Sequence, residues 1–79
     1  MIEKQLKEET EKWLAKIKAE RKKVKLIDSP KENLLKNIDA YISDSEHFLK
    51  KGDLIRAFEA VIWSWSIMEI GLELGIFKK

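Results

Sequence analysis

Lys50-Lys51-Gly52-Asp53 is the stretch that decides the fold of this 79-residue chain. A glycine directly after two lysines is typical of a helix end, because glycine adopts the left-handed conformation that closes a helix and lysines stabilise the negative end of the helix dipole. Asp53 comes next, and its carboxylate can accept a hydrogen bond from a free N–H in the first turn of a new helix. These four residues therefore predict a tight turn between two antiparallel helices.

The helices on either side of this turn are predicted over about 30–50 and 54–74. The earlier helix has apolar residues at helical spacing, which form one stripe: Leu34, Leu35, Ile38, Tyr41, Ile42, Ser45, Phe48 and Leu49. Its start is expected at a capping box, with Ser29 as the N-cap, Pro30 as the first helical residue and Glu32 as the reciprocal partner. Gly75 is expected to end the later helix.

A first helix is predicted over about 2–26, where no glycine or proline interrupts the chain. Its apolar positions also follow a helical period and are Ile2, Leu6, Trp13, Ile17 and Val24. Three helices joined by short connections pack best with neighbours antiparallel. The sequence therefore predicts a single all-α domain over residues 1–79, an up-and-down three-helix bundle.

The composition argues against several functional classes. The chain has no cysteine and one histidine, His47, so we expect no disulfide, no metal site and no cofactor. The only metal-like pair is Asp44 and His47, which the helical wheel points toward water. No set of nucleophile, base and acid can be assembled, so we do not expect an enzyme. A charged N-terminus and the lack of any apolar run of about 20 residues predict a cytoplasmic protein without a membrane span.

The third helix has more apolar residues than one buried face requires. A helical wheel predicts a core-facing seam of Leu54, Phe58, Val61, Trp65, Met68 and Leu72. A row of small residues lies beside that seam: Ala57, Ala60, Ser64, Gly71 and Gly75. Ile62, Trp63 and Ile70 fall in the sector that should face water. They are either structural residues covered by lysine stems or the contact surface of an unknown protein partner or a homo-oligomer.

A basic segment at the end of the first helix provides an alternative function. Residues 16–25 contain six cations, and residues 1–27 carry nine basic against five acidic residues. Arg21, Lys22 and Lys23 are the candidate phosphate contacts of a nucleic-acid-binding accessory domain. The cations spread around the helix, and no aromatic residue alternates with them. A solvated helix end is therefore the competing interpretation.

The stretch from Lys51 to Trp65, continuing through Glu69–Gly75, resembles the archaeal family designated domain of unknown function 357. The shared features are the Lys-Gly-Asp turn, an aromatic-Glu-Ala step and a Gly-Leu pair in the third helix. The likeness is best over 29–77. It implies an up-and-down three-helix bundle similar to the immunoglobulin- and albumin-binding domains. It implies no activity, and it supplies no catalytic or binding residues.

Overall fold

The computed structural model describes residues 1–79 and contains three long helices that run up, down and up. The elements in chain order are α1 (Ile2–Lys23), β1 (Lys25–Leu26), a 3₁₀ turn (Ser29–Lys31), α2 (Glu32–Lys51), α3 (Leu54–Glu73) and β2 (Phe77–Lys78). The molecule is elongated, with extents of 42 × 17 × 16 Å. The predicted all-α bundle is confirmed.

The turn between α2 and α3 has the predicted geometry. Gly52 adopts φ 79°, and its N–H donates to the Leu49 carbonyl at 3.1 Å. The Asp53 N–H donates to the Phe48 carbonyl at 2.9 Å, which completes the paired hydrogen bonds of a Schellman helix end. The Asp53 carboxylate accepts from the Arg56 N–H at 3.2 Å and so caps α3.

The connection between α1 and α2 differs from the prediction. The first helix ends at Lys23 rather than near residue 26, and the chain then becomes extended. Lys25 and Leu26 pair antiparallel with Lys78 and Phe77, so the C-terminal tail is held against this connection. We call this two-stranded arrangement the clasp. The pairing joins residues that are far apart in sequence, and no local signal specified it.

The predicted capping box at the start of α2 is wrong. Ser29 begins a short 3₁₀ turn and makes no side-chain cap hydrogen bond, and α2 begins only at Glu32. The Ile27 and Asp28 N–H groups both donate to the Ile76 carbonyl, at 2.9 and 3.3 Å. These two hydrogen bonds hold the backbone at Asp28, and the chain therefore enters α2 through the 3₁₀ turn.

The core lies between all three helices and extends to the clasp. Its buried apolar residues are Leu14, Ile17, Val24, Ile38, Ile42, Val61, Met68 and Phe77. In α3 the buried face is centred on Ala57, Val61, Ser64, Met68 and Gly71. On a helical wheel with about 100° per residue, this buried face is rotated by roughly 70° about the helix axis from the predicted seam. Phe58, Trp65 and Leu72 of that seam are only half-buried.

Small residues occupy this face because α2 packs closely against it. The buried Ser45 hydroxyl on α2 donates to the Ala57 carbonyl on α3 at 2.7 Å. A large side chain at Ala57 would push the two helices apart. The short side chains thus allow a close helix–helix contact at this point.

Phe77 closes the core at the end where the chain terminates. Gly75 adopts φ 74°, and the Ile76 N–H donates to the Gly71 carbonyl at 2.8 Å, which reverses the chain after α3. The Phe77 ring is 1% exposed and lies directly over Gly71. A methyl group at Gly71 would be 2.1 Å from Cε2 of this ring, so the absence of a side chain there is what admits the ring.

The N-terminal part of α1 packs loosely. Ile2, the first of the apolar positions at helical spacing, is 79% exposed, and the first buried residue of α1 is Thr10. None of the three helices combines the length and the apolar character needed to span a bilayer.

Candidate protein-interaction surface

Large apolar side chains remain exposed along the whole length of α3. Trp63 is 54% exposed, Ile62 40% and Ile70 54%, so the structure places all three candidate interface residues at the surface. Ile55 and Leu74 extend the same sector to the two ends of the helix, with exposures of 73% and 68%. We call these five residues the outer face of α3.

Ile55 and Leu74 were not predicted to be part of this surface, although the spacing of Ile55 in the sequence could have identified it. Ile55 precedes Ile62 by seven residues, and Trp63 precedes Ile70 by seven. Residues seven apart fall on nearly the same side of a helix, because seven residues make about two turns. Leu74 lies four residues after Ile70 and therefore shares its side.

Trp63 is held in a defined position by α2. Its ring stacks on the Tyr41 ring with 6.3 Å between centroids and 21° between planes. Offset stacking of this kind contributes about 0.5–1.5 kcal/mol beyond the area buried. Trp63 therefore presents a fixed aromatic surface rather than a freely rotating side chain.

The opposite edge of the outer face meets α1 at a pair of tryptophans. Trp13 and Trp65 pack edge to face with 5.7 Å between ring centroids, and Trp65 Nε1 donates to the Trp13 carbonyl at 3.1 Å. A shallow cleft of about 240 Å³ lies beside them, lined also by Ile62, Ser66 and Glu69. The surface around Ile62 is therefore concave.

Three carboxylates lie on or beside the outer face without an ion-pair partner. Glu59, Glu69 and Glu73 are exposed, and none is within ion-pair distance of a cation. On the α1 edge, Lys12 and Lys16 place their Nζ atoms 5.6 and 4.6 Å from the centroid of the Trp13 ring. The outer face is thus both apolar and acidic.

The small-residue row is not part of this surface. Ala57, Ala60, Ser64 and Gly71 are all buried against the rest of the bundle. Ala57 accepts a hydrogen bond from Ser45 of α2, and Gly71 lies under the Phe77 ring. The case for an interaction surface therefore rests on the exposed apolar residues alone.

Ion pairs engage three of the six cations in the basic segment. Arg21 donates to both carboxylate oxygens of Asp39, at 2.7 and 3.0 Å, and Lys18 pairs with Glu46. Lys23 is 3.8 Å from Glu20, so only Lys22 among the candidate phosphate contacts has no ion pair. The structure therefore does not bring Arg21, Lys22 and Lys23 together as three free cations.

Glu20 is the acidic group with a perturbed pKa. It is partly exposed, and Lys79 Nζ from the tail lies 2.5 Å from its Oε2. The hydrogen bond from Lys79 lowers the pKa of Glu20, desolvation opposes this shift, and the charges of Lys79 and Lys23 lower the pKa further. This contact ties the tail to α1.

Of two further surface depressions, one adjoins the outer face at Ile55 and the other lies away from it. One, of about 520 Å³, is at the end of the bundle between Ile2, Leu6 and Leu54. The other, of about 380 Å³, lies between α1 and α2 beside Leu14 and Leu49. Residues 1–79 contain no group of three or more histidine, aspartate or glutamate side chains that could hold a metal ion. His47 is exposed, with its ring centroid 5.7 Å from that of Phe48.

Comparison with known proteins identifies the family. The sequence profile described as "Protein of unknown function (DUF357)" matches residues 7–77. The chain belongs to the DUF357 family. The crystal structure of a DUF357 protein from the archaeon Archaeoglobus fulgidus is similar, with a TM-score of 0.92 and 47% sequence identity. That similarity covers 100% of this chain and 99% of the other. No protein with a curated function matches.

The DUF357 assignment confirms the resemblance seen in the sequence and extends it into the first helix. The matched range begins at residue 7, so most of α1 belongs to the family pattern. The family description states no activity.

Proposed function

We propose that this DUF357 protein is a non-enzymatic interaction module that binds a protein surface through the outer face of α3. The observation that carries the proposal is the exposure of Trp63 between Ile62 and Ile70, on a helix whose other side already forms the core. Exposed apolar groups that lie together tend to mark contact sites, and tryptophan is a frequent anchor of interfaces.

The energetic argument supports docking. Fully burying a large aliphatic or aromatic side chain contributes about 1.5–3 kcal/mol, and five such residues are at least 40% exposed along α3. Stacking on Tyr41 fixes Trp63 before a partner arrives, which reduces the side-chain entropy that binding would cost.

The proposal also includes the cell compartment of the protein and the class of molecule that it binds. A chain without cysteine suits a reducing compartment, and we place it in the cytoplasm. Nucleic-acid binding receives less support, because Arg21 and Lys18 are engaged by carboxylates and the cations form no continuous stripe. The occupant of the outer face is then another protein or a second copy of this chain.

The test compares Trp63→Glu with a matched control, Ile27→Glu. Ile27 is 53% exposed, almost equal to Trp63, but lies on the α1–α2 connection away from α3. Both variants should remain helical by circular dichroism, because each replaces a half-exposed side chain. Absolute mass is measured by light scattering over a wide concentration range, and protein capture from an archaeal cell extract is compared across the three chains.

The expected result is an association present in the native chain and in Ile27→Glu but lost in Trp63→Glu. Self-association would appear as a mass that increases with concentration. Unfolding of Trp63→Glu would show that Trp63 is a structural residue, and a native chain that stays monomeric and captures nothing would refute the proposal.

A further inference from the structure

Carboxylates outnumber cations on the outer face of α3. Glu59, Glu69 and Glu73 lie among its apolar residues, and the one cation of α3, Arg56, is 3.6 Å from Asp53. Asp44, one turn along α2 from Tyr41, is also exposed and has no ion-pair partner. Three carboxylates without an ion pair therefore share the outward sector of α3 with the exposed tryptophan and isoleucines, and a fourth lies on the adjacent α2.

Three ion pairs elsewhere join different elements of the protein. Lys18 on α1 pairs with Glu46 on α2, Arg21 pairs with Asp39, and Lys79 pairs with Glu20. The outer face of α3 receives no such partner from α1, α2 or the tail. A binding partner with positive charges would supply the missing complement.

The shape of the surface suits a helix. α3 has 20 residues and is therefore about 30 Å long, and the five apolar residues run from its first turn to its end. The stripe is bordered by the Tyr41–Trp63 stack on one edge and by the Trp13–Trp65 pair on the other. An amphipathic helix lying along α3 could bury its apolar face between these two edges.

A second copy fits this surface poorly. An antiparallel two-fold pairing centred on Ser66 would match Ile62 with Ile70, since each lies four residues from Ser66. The same pairing would set Glu59 opposite Glu73, since each lies seven residues from Ser66. Like charges facing each other across an interface oppose association.

We infer that the outer face of α3 binds a cationic amphipathic helix of another protein, selected by the unpaired Glu59, Glu69 and Glu73. This inference rests on the proposed function and narrows its partner to one chemical class. The apolar stripe supplies the contact area, and the carboxylates exclude acidic helices and oppose self-pairing.

The test uses two synthetic helices of about 20 residues, long enough to span α3. Both peptides have leucine at positions i, i+3/i+4 and i+7, which forms the same apolar seam. One peptide carries lysine at all flanking positions, and the other carries glutamate there. Each is titrated into the isotope-labelled full-length chain, and amide chemical shifts locate the contact and give its dissociation constant.

We expect the lysine-flanked peptide to shift the signals of Ile62, Trp63 and Ile70 and the glutamate-flanked peptide to bind at least about tenfold more weakly. The triple variant Glu59→Gln, Glu69→Gln, Glu73→Gln should weaken binding of the lysine-flanked peptide by about tenfold, or about 1.4 kcal/mol, because it removes three exposed ion pairs of modest strength. The control Glu3→Gln, Glu8→Gln, Glu11→Gln changes as many carboxylates on α1 and should leave binding unchanged.

Three outcomes would overturn the inference. Equal binding of both peptides, lost in Trp63→Glu, would show that charge does not select the partner, while the proposed interaction surface would stand. Concentration-dependent shifts of the α3 signals in the free chain would show that a second copy occupies the face, and the proposed function would again stand. No α3 shift with the lysine-flanked peptide would overturn the inference, and the mass and capture measurements would then decide the proposed function separately.

Discussion

Replacing Gly71 by alanine should destabilise this protein, although the same change stabilises most helices. Alanine is favoured over glycine inside a helix by about 1 kcal/mol. At Gly71, however, the new methyl carbon would lie 2.1 Å from Cε2 and 2.3 Å from Cδ2 of the Phe77 ring. No relaxed structure contains contacts this short, so the ring must move.

The magnitude follows from what the ring would lose. Overpacking a tight site costs about 1–3 kcal/mol, and removing a buried phenylalanine side chain costs about 3–5 kcal/mol. The clasp has two residues in each strand, so part of this cost is relieved by movement of the tail. After subtracting the helix gain, we expect Gly71→Ala to reduce the free energy of unfolding by about 2 kcal/mol, which lowers Tm by about 8–16 °C.

A double-mutant cycle isolates the cause. Phe77→Ala alone should cost about 3 kcal/mol, because it empties the same site. In that background Gly71→Ala should no longer destabilise, and it should recover up to about 1 kcal/mol because only the helix preference remains. The two substitutions should therefore be coupled by about 3 kcal/mol.

Urea unfolding followed by circular dichroism measures all four chains of this cycle. A Gly71→Ala protein as stable as the native one would show that the ring moves aside at no cost. Additive effects of the two substitutions would show that Gly71 and Phe77 do not share a site. Either result would refute the packing argument.

Three smaller effects can be measured by the same unfolding assay. Ser45→Ala removes the buried hydrogen bond to the Ala57 carbonyl and should cost about 1 kcal/mol; no loss would show that the bond is not formed in solution. Asp53→Ala removes the cap of α3 and should also cost about 1 kcal/mol, whereas Asp53→Asn should retain most of the stability. Lys79→Met removes the group that lowers the pKa of Glu20, so its stability deficit should be present at neutral pH and disappear as the pH falls through the folded-state pKa of Glu20. A deficit independent of pH would place the effect of Lys79 elsewhere.

Local chemistry was sufficient to predict the three helices and their order. The end of α2 and the start of α3 depend on the left-handed conformation of Gly52 and on the Asp53 carboxylate, and both act within a few residues. The helix stop at Gly75 follows from the same conformational freedom. Such signals can be read from the sequence because the groups that interact are neighbours in the chain.

The outer face of α3 was partly predictable for the same reason. Ile62, Trp63 and Ile70 fall opposite the core on any helical wheel, and the structure exposes all three. The wheel could not show that Trp63 stacks on Tyr41, because that contact depends on how α2 is placed beside α3. It also could not show that Glu59, Glu69 and Glu73 lack partners, since the cations that could have reached them lie on other elements.

The sequence by itself determined three helices, the turn between α2 and α3 and the sector of α3 that faces outward, because helix periodicity and end signals are local. Only the tertiary structure decided the rotation of α3 toward its small residues, the clasp and the loss of the Ser29 capping box. These features arise from contacts between distant segments: Ser45 with Ala57, Phe77 with Gly71, and Asp28 with Ile76. Each depends on how closely two backbones approach, and that distance is set by the packing of the whole bundle rather than by any one stretch of the chain.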